Sequence, residues 1–165
     1  MRTRILSLVV TFIALLAFNN AFAQNPHFNS NETQSVTVTC EEQGSSTVYL
    51  VTISGTVHGI GNARTGTITY TYDAEFNCYN RGADAGPVPG QSGPVSGVVK
   101  NVTLTTIKPG VATYNATFTI GASCKGKSLY SVVTDLDFSA LNLVIQGESL
   151  SLLDYIGAIP NCEEE

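Results

Sequence analysis

The sequence predicts an all-β domain, specifically a two-sheet antiparallel β-sandwich of immunoglobulin-like type with about seven strands and two disulfides; a small β-barrel is the second architecture. Three observations carry this expectation. Two long runs alternate apolar and polar residues without a slip, and each ends in a cysteine on its apolar face. No stretch between residues 34 and 140 shows helical spacing. Residues 24–165 contain 17 threonines, β-branched hydroxyl side chains that suit the solvated face of a pleated sheet.

The chain opens on a segment that is not part of the domain. Met1 to Arg4 give a basic start through Arg2 and Arg4, Ile5 to Phe18 are mostly apolar, and Ala21-Phe22-Ala23 has the small-x-small pattern of a signal-peptidase site. Residues 1–23 are therefore expected to be a signal peptide, and the product to be secreted or extracytoplasmic. As a helix the apolar stretch reaches only about 21 Å, short of the ~30 Å hydrocarbon core, so no membrane span is expected. Removing 23 of 165 residues leaves 142, enough for one packed core. Residues 24–33 are expected to be a flexible lead-in, 34–162 the β domain and 163–165 an acidic tail.

The clearest strand is Thr67 to Cys78. Ile68, Tyr70, Tyr72, Ala74, Phe76 and Cys78 lie on one face, and Thr67, Thr69, Thr71, Asp73, Glu75 and Asn77 on the other. Ala112 to Cys124 repeats the pattern. Less regular strands are expected at Ser35–Cys40, Thr47–His58, Val98–Ile107, Ser128–Phe138 and Leu141–Gln146. Glycine-bearing turns separate most of them, as at Gly44-Ser45-Ser46 and Lys108-Pro109-Gly110. Tyr79 to Pro94 is a long connection rich in glycine and proline, and Leu150 to Ile156 fits either a short helix or an eighth strand.

All four cysteines, Cys40, Cys78, Cys124 and Cys162, fall after the signal segment, where two disulfides are expected. No C-x-x-C pair and no neighbouring histidine supports a zinc site. With strands alternating in direction, those ending at Cys78 and Cys124 finish at the same end of the domain with their apolar faces together. This favours Cys78 with Cys124 and leaves Cys40 for Cys162. Cys40 ends its own strand on that side too, so parity leaves the other pairings open.

Charge narrows the partners. Without Arg2 and Arg4 there are 6 basic and 13 acidic residues, a net charge of −7, which argues against nucleic acid. The chain has no phosphate-binding loop, dinucleotide fingerprint or H-E-x-x-H motif. It has only two histidines, His27 and His58, and no nucleophile elbow to serve a Ser-His-Asp hydrolase. Asp73 with Glu75 and Asp135 with Asp137 are i, i+2 pairs projecting from strand faces. Were the two strands adjacent, four acids would meet, able to take calcium or to act as a glycosidase pair. Calcium is the one cofactor the sequence admits. Tyr79 and Arg81, beside Cys78, form a second candidate binding surface, because tyrosine and arginine are frequent at interfaces. Asn31, Asn101 and Asn115 head N-x-[ST] triplets, glycan acceptors in a eukaryotic host.

Asn25-Pro26-His27-Phe28, Phe76-Asn77-Cys78-Tyr79-Asn80-Arg81-Gly82 with its Gly/Pro-rich sequel, and the strand from Phe118 to Cys124 resemble a group of uncharacterised small exported bacterial proteins. The resemblance covers residues 25 to 136. It implies an exported all-β domain in which Cys78 and Cys124 pair, and it brings no catalytic residues; Cys40, Cys162 and Arg81 depart from its pattern. The function expected is a non-enzymatic module that binds a surface, glycan or protein, an extracellular ligand the sequence does not identify, through Tyr79 to Pro94. The alternative is a small secreted hydrolase or a calcium-dependent protein using Asp73, Glu75, Asp135 and Asp137.

Overall fold

Among the described residues, alternation of apolar and polar side chains gives eight strands. The computed structural model describes residues 25–80, 88–89, 93–124 and 129–163, so the segment expected to be a signal peptide, Arg81 and most of the Gly/Pro-rich connection lie outside the described residues. The strands are β1 (Ser35–Gln43), β2 (Ser46–His58), β3 (Thr65–Asn80), β4 (Val88–Pro89), β5 (Gly93–Lys108), β6 (Val111–Ile120), β7 (Leu129–Ile145) and β8 (Glu148–Ser151). A single 3-10 turn follows at Leu153–Tyr155, so the ambiguous segment after Gln146 supplies both a short strand and a helical turn.

The all-β class holds, but the two-sheet arrangement is not confirmed. The described strands belong to one sheet in the order β1-β2-β6-β5-β3-β7-β8, with β4 beside β3. A parallel bridge between Thr47 of β2 and Val132 of β7 brings the sheet back on itself. β2, β6, β5, β3 and β7 thus form a closed circuit, the barrel arrangement, with β1 and β8 added outside it. The physical reason is that inward faces can bury one another across a curled sheet as well as between two flat ones.

β7 departs most from expectation. What read as two strands is one, Leu129–Ile145, because Thr134 and Ser139 are extra residues opposite β3. Each bulge shifts the alternation by one position. Inward residues therefore run Ser131 and Val133, then Leu136 and Phe138, then Leu141, Leu143 and Ile145. β6 in turn stops at Ile120 instead of Cys124.

The interior is filled by aliphatic side chains of β2, β6 and β7 and by an aromatic group. Tyr70 lies parallel to Phe118 with centroids 4.3 Å apart, and Tyr72 meets Phe138 edge-on at 6.2 Å. Gly97 pairs with Tyr70 across the sheet, and a Cβ there would collide with the tyrosine ring. Gly55 makes similar room for buried Gln34, which accepts from Tyr114 Oη at 2.7 Å and donates to the Thr56 carbonyl at 2.9 Å.

Both expected disulfides form, Cys78 with Cys124 and Cys40 with Cys162. The lead-in, expected to be flexible, is docked: His27 and His58 exchange two backbone hydrogen bonds of 3.0 Å, and Phe28 packs on Tyr114 and Tyr155.

Candidate functional site: the outer face of β3 and β7

β3 and β7 are neighbours, so the condition attached to the four acids is met. Asp73 stands directly opposite Asp137, and Glu75 opposite Asp135. The Thr134 and Ser139 bulges flank this stretch of β7 and set its parity so that both acids point outward. All four are exposed. Directly opposed side chains in an antiparallel pair have Cβ atoms about 4.5–5.5 Å apart, close enough for like charges to repel. Among the described residues none of the four has a basic partner; the only ion pair there is His58 with Glu32, at 2.8 Å.

The same face continues past the acids. Asn77 is opposite Val132, and Tyr79 is opposite Tyr130 with its ring stacked at 5.4 Å. Four rungs, spaced about 6.8 Å apart, give a strip about 20 Å long. Cys78 points inward from the same segment, and its bridge to Cys124 pins this end of β3.

The C-terminal segment adds a fifth acid. Tyr79 Oη and Asn77 Nδ2 both donate to Glu163 Oε1 at 2.6 Å. These two donors, tyrosine first, hold the Glu163 carboxyl below its usual range, and the same bond to Glu163 pushes the Tyr79 phenol up. The neighbouring Cys162 bridge is what brings Glu163 here. Burial raises the phenol of Tyr49, and the field of Asp135 adds to the shift.

Sequence reasoning therefore found Tyr79 and the four acids but treated them as separate candidates, whereas they share one face. Asn77 was on that face by parity and was not singled out. Tyr130 was hidden by the bulge that separates it from Asp135, and Glu163 was read as tail. The Arg81 proposal lies outside the described residues. As placed, the acids look out from the barrel, and no group of three or more His, Cys, Asp or Glu side chains among the described residues is arranged to hold a metal ion.

The remaining candidates lie elsewhere. His58 Nε2 is hydrogen-bonded to Glu32 and its backbone to His27, so it docks the lead-in. Asn31, Asn101 and Asn115 are all exposed, with Asn101 at φ +58° where β5 bulges against β3. Among the described residues no helix is long and apolar enough to cross a membrane. No protein-family model, no curated protein and no solved structure matches the chain.

Proposed function

We propose that the protein is a non-enzymatic extracytoplasmic binding module that holds a lysine- or arginine-bearing protein segment against the outer face of β3 and β7. The observation that carries this is the run of opposed carboxylates, Asp73 with Asp137 and Glu75 with Asp135, left without a cation among the described residues. Opposed like charges cost roughly 0.2–1 kcal/mol per pair in the free protein, and a cationic partner relieves that cost on binding. Tyr79 and Tyr130 supply aromatic rings to an arginine or lysine two rungs further on. Exposed contacts of this kind contribute more to encounter rate and selectivity than to affinity.

The test is surface plasmon resonance of the exported domain against an arginine-rich peptide, a neutral glycan panel and calcium. Peptide binding that weakens as salt rises, and disappears in the Asp73→Asn, Glu75→Gln, Asp135→Asn, Asp137→Asn variant, is the expected result. Glycan binding that survives this neutralisation would replace the protein partner with a carbohydrate. A melting point raised by millimolar calcium, without peptide binding, would favour the calcium-dependent alternative built on the same acids.

A further inference from the structure

β1 is the outermost strand on its side of the sheet, paired along Ser35–Gln43 to β2 and on its other side only through a single bridge at Val36. The Val36 carbonyl faces outward, where it accepts from the Gly157 N–H at 3.0 Å. The β1–β2 register is unbroken, so Val38, Cys40 and Glu42 turn their backbone groups to the same outer side. Among the described residues these have no hydrogen-bond partner there. An edge of this length is a template for another strand, and folded proteins ordinarily cover or charge such edges.

The cover here is the segment from Ile156 to Cys162. It runs alongside β1 in parallel, starting from the bridge between Val36 and Ile156 and ending at the Cys40–Cys162 disulfide. It does not zip onto the edge. Pro160 has no N–H to offer, and its carbonyl is turned inward to accept from Tyr49 Oη at 2.9 Å. The Gly157 hydrogen bond, the Tyr49–Pro160 hydrogen bond, the packing of Ile156 and Ile159 on the core and one covalent bridge thus hold a strap over an edge whose backbone groups it leaves mostly unpaired.

We propose that the outer edge of β1 is a pairing surface for β1 of a second copy of this chain, kept closed by the Cys40–Cys162 bridge and opened when a dithiol reductant cleaves it. This goes beyond the β3–β7 face and does not rest on it. One thiolate of the reductant attacks the sulfur of half-buried Cys40, and Cys162, itself 6 % exposed, leaves as thiolate. The reductant's second thiolate attacks the mixed disulfide and releases Cys40. The reductant ends as a disulfide, and the two cysteines take up its two protons and two electrons. Antiparallel pairing about a two-fold axis centred on Thr39 sets Glu42 against Val36 and Glu41 against Thr37, so the acids of the two copies do not face each other.

Light scattering after size exclusion compares the wild type with the Cys40→Ser, Cys162→Ser variant, both with Cys78–Cys124 intact. The expected result is a monomer for the wild type and a concentration-dependent dimer for the variant, returned to monomer by adding Glu42→Pro, which removes one outward N–H. Hydrogen exchange on the same samples should show β1 amides gaining protection with concentration only in the variant. A variant that stays monomeric with native protection of β2 and β6 overturns the proposal. So does loss of protection throughout the sheet, which would make the bridge a staple of the whole fold instead of a cover for one edge.

Discussion

The inner and outer faces of the β3–β7 ladder are built from alternate residues of the same strands, yet they satisfy opposite requirements. Inward, Ile68, Leu136, Leu141 and Leu143 are buried among apolar neighbours, and each position is defined by what it touches. Outward, Asp73 faces Asp137 and Glu75 faces Asp135, like charges set directly across the ladder, where such pairs are generally unfavourable. A ladder that served only to close the barrel would gain by replacing any of these acids with threonine, the residue that fills much of the remaining outer surface. The difference separates the face that barrel packing defines from the face on which the proposed cationic partner would act.

The sharpest way to break this contrast is from the inner side. Leu141 is fully buried opposite Tyr70, and Leu141→Ala is expected to destabilise the domain by about 2–5 kcal/mol through lost transfer energy and the cavity left behind. Urea denaturation should show a lowered midpoint with an unchanged slope. A loss under about 1 kcal/mol would mean that the ladder's interior is not packed as described.

The outer face should respond with the opposite sign. Asp73→Asn and Asp137→Asn, made singly, are each expected to stabilise the domain by up to about 1 kcal/mol at low salt. The double variant should add little, since one neutral partner already removes the repulsion. Raising the salt concentration should shrink the gain, because exposed charges are screened. Destabilisation by either substitution would show that the acids have structural partners, and the case for an external cation would then fall.

How much of this was legible depended on local regularity. β3 and β6 alternate without interruption, so their faces could be read directly, and with them the inward cysteine at position 78. β7 could not be read, because the Thr134 and Ser139 bulges move its apolar residues from one parity to the other and back. Closure was out of reach for a different reason. It rests on a bridge between Thr47 and Val132, residues far apart in sequence that carry no local sign of their meeting. The site followed the same division: Asp73, Glu75, Asn77 and Tyr79 share a face by simple alternation on β3. Their partnership with Asp135, Asp137 and Tyr130 required knowing which strand lay beside them. Glu163 depended on both disulfide placement and tertiary contact.

The smallest expected effect concerns Glu163, the acid that the C-terminal segment brings onto the outer face beside Asn77 and Tyr79. Its carboxyl is lowered chiefly by the Tyr79 hydroxyl and secondly by the Asn77 amide. A folded-state value below the unfolded one means that docking of the C-terminal segment contributes stability above the ordinary glutamate range, near pH 4.3, and that this contribution is lost as pH falls through the lowered folded value. Tyr79→Phe removes the larger cause and keeps the stack on Tyr130, so the Glu163 carboxyl should titrate closer to its ordinary range while remaining somewhat below it. Carboxyl-carbon NMR would follow this directly. Because Glu163 is exposed, global stability should move by no more than about 0.5 kcal/mol. An identical titration in the variant would assign the lowering to Asn77 alone, and Tyr79 would then be free to meet a partner without first releasing the tail.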